Sequence, residues 1–333
     1  MNDRILMGHG SGGKLMVELI TRTIGEILGS GSVQMDDSAI LIPGNEKIAF
    51  TTDSYTITPL FFPGGDIGTL AVNGTVNDLA VMGARPLFLS CGLILEEGLE
   101  MALLKKVLRS IKKSSDAAGV KIVTGDTKVV EKGSADKMFV NTSGIGVMEH
   151  PLARKEIAPG DQIIINGTIG DHGISVMARR SGLSFSKGLI SDCAPLNGLI
   201  DDVLSEFPDQ VKFIRDATRG GVASVLNEIV QKKMFGAVLV EERFPLKEEV
   251  VGVCDILGID PLYAANEGKV IMIVDRESSA GILARMRKNR FGKNAAVIGE
   301  IIDQYQGMVY VETHVKGRRM LPLLIEDQLP RIC

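Results

Sequence analysis

The 333-residue sequence has no tryptophan, only four cysteines and four histidines, and no excess of basic charge. The cysteines are far apart and form no CxxC pair, which argues against a zinc site and against a disulfide framework. With 37 basic and 41 acidic residues the net charge is −4, which gives no electrostatic footprint for nucleic acid or an anionic membrane. The start has no apolar core of about seven residues, and no run approaches the roughly 18 residues of a membrane span. We therefore expect an unexported, cytoplasmic protein that binds neither nucleic acid nor membrane.

Strand-like and helix-like segments alternate along the chain, which predicts a mixed α/β protein of two domains. The first half is predicted to contain helices over 68–82 and 99–118 and strands over 47–52, 121–124 and 139–147. Turn residues over 151–160 indicate a domain boundary. The second half is predicted to contain strands over 163–166, 237–240, 269–274, 296–301 and 308–312, with helices starting near Asp171 and after Gly221. Those strands suggest an antiparallel or mixed sheet, and the basic side of helix 99–118 is predicted to face solvent.

Acidic residues occur where predicted strands end or predicted helices begin. They are Asp36, Asp37, Asp53, Asp78, Asp126 and Asp216. Magnesium prefers oxygen ligands and is commonly shared between a few carboxylates and the phosphates of a substrate. The set therefore predicts a site for a magnesium nucleotide, although each aspartate taken alone is more often a helix cap or a turn former.

Glycine-rich stretches offer two further phosphate candidates. Gly8–Lys14 combines close backbone approach with a lysine charge, but it lacks the spacing of a Walker A loop, and a flexible leader is the alternative. Arg219-Gly220-Gly221 stands at a predicted helix start, where backbone N–H groups can bind an anion.

Cys333 is the last residue of the sequence and follows a polar segment that begins after Pro322. Twelve extended residues allow its thiol to sweep up to about 40 Å, so we expect a mobile tail that carries a nucleophile between sites. Cys91, Cys193 and Cys254 lie in apolar or turn contexts and are expected to be structural. His9 and His172 are expected to have surface or capping roles.

Taken together, the motifs GHGSGGK, DDSA, TTDS, VNDLAVMGARP, GDT and RDATRGG, spread from residue 8 to residue 221, resemble the ATP-dependent superfamily of aminoimidazole ribonucleotide synthetase, selenophosphate synthetase and thiamine-monophosphate kinase. Within it, PRIC at 330–333, GDTKVV at 125–130 and ANEG at 265–268 resemble the HypE family, the carbamoyl dehydratases of [NiFe]-hydrogenase maturation. The resemblance implies a PurM-like two-domain fold. Residues 1–154 would form an N-terminal α/β domain for ATP binding and homodimer formation, 155–320 a C-terminal α+β domain, and 321–333 a flexible tail.

The resemblance also implies roles for individual residues. The metal-linked carboxylates would be Asp37, Asp53, Asp78 and Asp216. The residues near ATP would be Asp36, Asn77, Asp126, Thr218, Arg219 and Gly220. Lys14 would belong to a loop that closes over the phosphates.

In the family that this sequence resembles, the carbamoyltransferase HypF places a carbamoyl group on the terminal thiol, here Cys333. ATP would then phosphorylate the amide oxygen with the help of Mg²⁺, so that phosphate leaves and a thiocyanate forms. The cyanide would pass to iron on the HypC–HypD complex. A base must remove protons from nitrogen, and Glu267 is the preferred candidate, while Lys128 is either the alternative base or a group that orients the carbamoyl oxygen.

Two other functions are compatible with these patterns. The first is a kinase or synthetase that acts on a diffusible small molecule, with an inert tail. The second is a noncatalytic scaffold whose tail docks partners while nucleotide switches its conformation. Loss of turnover on removal of Cys333 would distinguish the dehydratase from the small-molecule kinase or synthetase. Release of ADP would distinguish it from the noncatalytic scaffold.

Overall fold

The computed structural model describes residues 5–10, 13–27, 36–152, 156–183, 188–324, 329 and 331–333. Its helices are α1 (Gly13–Leu19), α2 (Gly25–Ile27), α3 (Ile67–Val81), α4 (Met101–Ala118), α5 (Asp171–Arg180), α6 (Asn197–Glu206), α7 (Gly221–Val230), α8 (Glu248–Leu257) and α9 (Ser279–Lys288). Its strands are β1 (Ala39–Leu41), β2 (Ile48–Tyr55), β3 (Phe61–Phe62), β4 (Gly65–Asp66), β5 (Ala84–Glu96), β6 (Lys121–Val130), β7 (Met138–Met148), β8 (Gln162–Ile165), β9 (Val211–Asp216), β10 (Gly236–Val240), β11 (Val270–Val274), β12 (Ala296–Ile302), β13 (Val309–Glu312) and β14 (Arg318–Met320). No helix within these ranges is long and apolar enough to span a bilayer.

The first sheet has five strands in the order β1-β2-β7-β5-β6. Its neighbouring strands are antiparallel except β5 and β6, which are parallel. Parallel neighbours need a crossover connection, and α4 supplies it. The inner face of the sheet packs on α3 through β2, β5 and β7.

Helix α3 lies between the two halves of the protein. Its sequence, IGTLAVNGTVNDLAV, is apolar or small around nearly the whole circumference, which is the pattern of a helix buried on all sides. Asp66 caps its start, because Oδ1 accepts hydrogen bonds from the N–H groups of Gly68 at 2.9 Å and Thr69 at 3.0 Å. The helix contacts the first sheet and also α6 and β9. Residues on different sides of this one helix therefore have different neighbours.

The second sheet has seven strands in the order β14-β13-β10-β12-β8-β11-β9. It is mixed, because β10 and β13 are parallel while the other neighbours are antiparallel. Strand β11 lies between β8 and β9, and all of its residues are buried. The expected combination of an α/β first half with an α+β second half that holds a mixed sheet is confirmed.

Most predicted elements are present, with ends within a few residues of the predicted ones. Several other elements of the structure were not predicted. The elements that sequence patterns did not mark include β5, β9, α6, α8 and α9. Strand β5 contains Pro86, which ordinarily argues against a strand. Its pairing with β7 shifts register between Pro86 and Phe88, and this bulge accommodates the proline. The predicted strand at 121–124 also continues to Val130 as β6.

The amphipathic interpretation of α4 is confirmed for its basic side. Lys105, Arg109 and Lys112 are exposed, whereas Val107 and Ile111 are buried in the core. Leu108, which has the same helical phase in the sequence, is 41% exposed. The apolar stripe that reaches the core is therefore narrower than the sequence pattern indicated.

The core continues from one half of the chain to the other. The first sheet ends at Met148 and the second begins at Gln162, on either side of the segment with turn residues. One hydrophobic cluster nevertheless joins Val72 to Ile174, Leu329 and Ile332. The proposed domain limits stay a prediction, and the described residues at the end of the chain belong to this shared core.

Candidate active site

A cleft of about 410 Å³ lies where β2 and α3 face β9 and the loop that follows it. The chain segments before β1 and before β11 complete its walls. Cys333 faces into the same space. The residues that line the cleft are Met16, Ile20, Asp36, Asp37, Thr51, Thr52, Asp53, Tyr55, Gly74, Asp78, Arg215, Asp216, Thr218, Arg219, Ser224, Val225, Glu228, Glu267 and Cys333.

All four predicted metal-linked carboxylates line this cleft: Asp37, Asp53, Asp78 and Asp216. Burial, together with the charges of Asp37 and Asp53, raises the pKa of Asp216 to about 8. Burial, followed by the charge of Asp216, raises the pKa of Asp78 well above its usual value. Burial also raises the pKa of Asp37 to about 6. Neighbouring negative charge disfavours the ionised forms of Asp78 and Asp216, so a cation bound among these carboxylates would be stabilised.

The donor set fits Mg²⁺, which binds carboxylate oxygens. Although the structure describes all four aspartates, no three of them place ligand atoms within 4.8 Å of one another. Magnesium usually keeps water and substrate phosphate oxygens beside one or two carboxylates. The arrangement therefore suits an ion that is shared with phosphates better than an ion enclosed by protein ligands alone.

Arg215 and Glu228 are cleft residues that the sequence analysis did not select. Arg215 Nε donates a hydrogen bond to Asp37 Oδ2 at 3.3 Å, and Nη1 donates to Glu228 Oε2 at 2.5 Å. The side chain of Arg215 is only 13% exposed, so these charge pairs are poorly screened. The adjacency of Arg215 to Asp216 at the end of β9 was the available sequence signal.

Glu267 lies three residues before the start of the buried strand β11 and is 3% exposed. Its backbone N–H donates to Asp192 Oδ1 at 3.2 Å, while its side-chain Oε1 has no hydrogen-bond partner among the described residues. Burial, followed by the charges of Asp216, Asp192 and Asp53, raises the pKa of Glu267 well above its usual value. A buried carboxyl group with an unsatisfied oxygen that faces a cleft is suited to proton transfer with a bound reactant.

An ion pair that sequence reasoning missed supports the Glu267 backbone. Lys269 Nζ lies 2.8 Å from Asp192 Oδ2, and the two side chains are 8% and 2% exposed. Burial alone would raise the pKa of Asp192, but the charge and hydrogen bond of Lys269 lower it below its usual value. Asp192 therefore remains an anion that accepts the Glu267 N–H and keeps negative charge close to the Glu267 carboxyl group.

The loop between β9 and α7 brings Thr218 and Arg219 to the cleft. Gly220 follows with φ of +69°, a left-handed conformation, and a Cβ atom there would meet Ser224 Oγ at 2.0 Å. Glycine is therefore required for the turn that starts α7. Arg219 and Cys333 both line the cleft, and the charge of Cys333 is the largest cause that raises the pKa of Arg219.

Backbone contacts seat the end of the chain in this position. The Thr56 N–H donates to the Cys333 carbonyl oxygen at 3.1 Å, and Arg331 donates to the Thr56 carbonyl oxygen at 2.8 Å. Arg180 donates to the carbonyl oxygen of Arg331, and Arg331 forms an ion pair with Asp136. Residues 331–333 therefore lie in an inward position, and the expected mobility of the tail stays a prediction.

The expected surface or capping role of His172 was wrong. Its ring is fully buried, and Nε2 lies 2.8 Å from the Ile332 carbonyl oxygen, while Nδ1 lies 2.8 Å from Ser191 Oγ. Burial lowers the pKa of His172, so the neutral ring is favoured. With Nε2 protonated, the ring donates to the Ile332 carbonyl and accepts from Ser191. The reason for the error is tertiary, because the tail covers a side chain that α5 alone would expose.

Five predicted site residues do not line the cleft, and one of them is Gly220, which follows Arg219 at the start of α7. Asn77 is buried, and its amide binds the Ala194 carbonyl at 3.1 Å and the Leu196 N–H at 2.7 Å. Asp126 and Lys128 are exposed on β6 and lie 3.1 Å apart as an ion pair. Lys14 is exposed on α1, and its N–H donates to the Leu324 carbonyl oxygen at 3.3 Å. Ser11 and Gly12 of the glycine-rich segment lie outside the described residues.

Comparison with known proteins identifies the two domains that contribute residues to this cleft. Residues 35–148 match the family model of the AIR synthase related protein N-terminal domain, and residues 158–312 match that of the C-terminal domain. Every predicted metal-linked carboxylate lies within these two matches. The four are distributed between both models, with Asp216 in the second.

Several relatives match over nearly their whole length. The carbamoyl dehydratase HypE of Rhodobacter capsulatus is 46% identical, with 100% of this chain and 99% of that protein covered. A crystal structure of HypE in complex with ATP has a TM-score of 0.82 and 43% identity, with 99% of this chain and 100% of that chain covered. HypE in a HypE–HypF complex has a TM-score of 0.83 and 45% identity, with 90% and 99% covered. The chain therefore belongs to the HypE family of AIR synthase related proteins.

Proposed function

We propose that this protein is an ATP-dependent carbamoyl dehydratase of [NiFe]-hydrogenase maturation that acts on a carbamoyl group carried by its own Cys333. The observation that carries the proposal is that Cys333 and the buried Glu267 line one cleft together with Asp37, Asp53, Asp78 and Asp216. A thiol held beside a phosphate-binding set of acids is suited to chemistry on a group attached to that thiol. The names of the relatives support the same activity.

The nucleotide is proposed to place its triphosphate among the aspartates, as the ATP complex of the HypE relative supports. Asp37, Asp53, Asp78 and Asp216 would hold Mg²⁺, which would offset the negative charge that develops during phosphoryl transfer. Thr51 Oγ1 donates to Asp78 Oδ2 at 3.0 Å and fixes the orientation of one ligand. Thr218, Arg219 and Gly220 begin the α7 side of the cleft, where Arg219 supplies positive charge. Asp36 lines the entrance, and Lys14, Asn77 and Asp126 remain proposed ATP residues.

The proposed reaction converts S–CO–NH₂ on Cys333 into S–C≡N. The carbonyl oxygen attacks the γ-phosphorus of ATP, a new P–O bond forms, and ADP leaves. The nitrogen loses one proton as the phosphorylated imidate forms and a second as the C–O bond breaks. Inorganic phosphate departs with the former carbonyl oxygen, so the sum is loss of water at carbon coupled to ATP hydrolysis.

Glu267 is proposed as the base for these proton transfers. Its raised pKa makes the ionised carboxylate a stronger base than an ordinary surface glutamate. Arg219 lowers the pKa of Glu267 and so favours the ionised form. Lys128 is 70% exposed and paired with Asp126, so within this chain it lacks the burial that would favour a neutral lysine. We therefore favour an orienting role for Lys128 at a site completed by a second copy of the chain.

A homodimer is proposed through the outer face of the first sheet. Phe50, Ile145 and Phe88 lie in register across β2, β7 and β5, and each is between 38% and 42% exposed. Val129 on the neighbouring edge strand β6 is 68% exposed. A contiguous apolar row on a sheet face of this kind marks an interaction surface. Pairing of two such faces would also cover β6, which carries Asp126 and Lys128.

HypF is proposed as the carbamoyl donor, supported by the complex that the HypE relative forms with HypF. The HypC–HypD complex is proposed to accept the cyanide on iron. For either transfer the tail must leave the contacts that Thr56, His172 and Arg180 make with it. None of the four cysteines, all in the described part of the chain, forms a disulfide, which supports a reducing cytoplasmic compartment.

The proposal is tested by the intact mass of the protein after incubation with HypF, carbamoyl phosphate and MgATP. Without ATP, the wild type is expected to gain the mass of a carbamoyl group. With ATP, that adduct is expected to lose the mass of one water, and ADP is expected to accumulate in equal amount. Cys333→Ala is expected to show neither adduct.

Cys254→Ala is the matched control, because Cys254 is a buried thiol outside the cleft. It is expected to behave like the wild type in both incubations. A Cys333→Ala variant that hydrolyses ATP normally with a soluble substrate, while the wild type forms no adduct, would identify a small-molecule kinase or synthetase. Bound nucleotide without ADP release would identify a noncatalytic scaffold.

A further inference from the structure

A second pocket, of about 470 Å³, lies on a different face of α3 from the active-site cleft. We call it the Asn73 pocket. Thr69 and Asn73 of α3 line it, whereas Gly74 and Asp78 of the same helix line the cleft. Helix α4 and the segments around Cys193 and Arg290 form its other sides. The pocket therefore opens to solvent without passing through the catalytic cleft.

The floor of the Asn73 pocket contains an unsatisfied polar atom. Asn73 is 2% exposed, and its Nδ2 donates to Cys193 Sγ at 3.4 Å. Its Oδ1 makes no hydrogen bond with any part of the chain that the structure describes. A buried acceptor without a donor is energetically unfavourable. An O–H or N–H group of a ligand in the pocket would remove this cost by donating to Oδ1.

The rim of the Asn73 pocket is positively charged. Lys106, Lys113 and Arg290 line it, and all three are exposed. None of them forms an ion pair with another described residue. Lys106 Nζ lies 4.1 Å from the centre of the Phe61 ring, and the Arg290 guanidinium lies 4.4 Å from that of Phe291, so aromatic faces orient two of the three cations.

The carboxylate in the Asn73 pocket does not neutralise this rim. Asp66 Oδ1 accepts from the N–H groups of Gly68 and Thr69, and Oδ2 accepts from Ser110 Oγ at 2.5 Å. Asp66 is therefore committed to capping α3 and to holding α4 against it. The balance of three cations to one committed anion leaves the pocket attractive to a compact dianion.

We propose that the Asn73 pocket binds a phosphomonoester that carries a hydroxyl or amino group. The phosphate would lie between Lys106, Lys113 and Arg290, which offer charged donors at the mouth. The hydroxyl or amino group would donate to Asn73 Oδ1 at the floor. A volume of about 470 Å³ accommodates a sugar phosphate or a mononucleotide. This binding site is independent of the dehydratase proposal, because it includes neither Cys333 nor any cleft carboxylate.

The test is titration calorimetry of the full-length protein with ribose 5-phosphate and, separately, with inorganic phosphate. Ribose 5-phosphate is expected to bind with one site per chain and more tightly than inorganic phosphate, because only the ester offers hydroxyl donors to Asn73. Lys113→Ala and Arg290→Ala are each expected to weaken ribose 5-phosphate by about five- to tenfold, the effect of losing one charge-assisted contact. Asn73→Ala is expected to remove the preference for the ester.

Lys105→Ala is the matched control, since Lys105 is an exposed lysine of α4 that does not line the Asn73 pocket. Its affinity for ribose 5-phosphate is expected to equal that of the wild type. The proposal is overturned if neither probe binds at millimolar concentration. It is equally overturned if Lys105→Ala weakens binding as much as Lys113→Ala and Arg290→Ala do, because the attraction would then be general surface charge. The two rim variants change exposed residues only, so the result does not depend on whether Asn73→Ala folds.

Discussion

Glu267 and Lys128, the two candidate bases, occupy opposite environments. Glu267 precedes β11, in which all residues are buried, and its own side chain is within the protein interior. Lys128 lies on β6, in which every residue except the last is exposed. Strand β6 belongs to the first sheet and β11 to the second. The difference follows from their neighbours, because β11 has a strand on each side and β6 is an edge strand.

In the proposed dimer, the catalytic region would be completed from two directions. Burial inside one chain already gives Glu267, Asp78 and Asp216 strongly raised pKa values. Asp126 and Lys128 have no such surroundings within one chain and would acquire them from another molecule. Residues of the first kind should act within an isolated subunit, and residues of the second kind should depend on assembly.

The largest expected effect comes from removing Glu267, the proposed base. Glu267→Gln keeps the shape of the side chain but cannot accept a proton, so we expect dehydration of carbamoylated Cys333 to slow about 10²- to 10⁴-fold. Lys128→Met is expected to slow it about tenfold, the loss expected for one orienting hydrogen bond. Single-turnover mass spectrometry of the carbamoylated protein measures both. A Lys128→Met variant that is slower than Glu267→Gln would assign the base to β6 instead.

The second expected effect concerns the buried acids without metal. The pKa of Asp216 is raised from 3.8 to about 8, so between these values the folded protein binds more protons than the unfolded chain. The free energy of unfolding should therefore fall as pH rises from about 4 to about 8, by roughly a few kcal/mol. Asp216→Asn should weaken this dependence without abolishing it, because the amide does not titrate while Asp37, Asp78 and Glu267 keep raised pKa values. Denaturant unfolding in the presence of a chelator at several pH values measures it.

Asp126→Asn is the control for that experiment, because Asp126 is an exposed carboxylate of β6 whose pKa is lowered by its hydrogen bond with Lys128. It should leave the pH dependence between 4 and 8 unchanged. Addition of Mg²⁺ should stabilise the wild type at pH 8 more than Asp216→Asn, since the ion binds the folded state. Equal stabilisation of both proteins would contradict a role for Asp216 in holding the metal.

The third expected effect tests whether β6 is completed by a second copy. Ile145→Lys places a charge at the centre of the exposed apolar row, so we expect dimer dissociation to become about 10- to 100-fold easier. Sedimentation velocity at several concentrations measures it. Leu108→Lys, on the exposed side of α4, is expected to leave the dimer intact. If the Ile145→Lys monomer retains full dehydratase activity, the orienting role of Lys128 between subunits is wrong.

The smallest expected effect tests the inward tail. Arg180→Ala removes a hydrogen bond to the Arg331 carbonyl and another to the Thr58 carbonyl, so the outward state should gain about 1 kcal/mol. The Cys333 thiol should then react with a bulky maleimide about fivefold faster. Arg179→Ala, the exposed neighbour on α5, is the control and should react at the wild-type rate. Equal rates for the two variants would show that these bonds do not gate the tail.

The sequence predicted the acids of the cleft because their positions are set by local structure. The ordered motifs located these acids, but only Asp216 stands at a strand end, whereas Asp53 lies within β2 and Asp78 lies near the end of α3 and not at a helix start. Asn77 shows where this reasoning stops. One residue along an α-helix turns the side chain by about 100°, so Asn77 faces Ala194 and Leu196 while Asp78 faces the cleft.

Several functional contacts could not be predicted from the sequence, because they join distant segments. The Lys269–Asp192 pair spans 77 residues, and the bond from His172 to Ile332 spans 160. No periodicity or local motif indicates which of many buried polar residues will become partners. Such pairs depend on how α3 and the two sheets pack.

The sequence by itself determined the mixed α/β class, the acids that line the cleft and the thiol at Cys333, because strand and helix periodicity and residue chemistry are local properties. The tertiary structure decided which of these residues share a space. Packing placed Cys333 beside Glu267 and Arg219, buried Glu267 against Asp192, and left Lys128 on an open edge. The physical reason is that desolvation and charge repulsion act between residues that are close in space, whatever their separation along the chain.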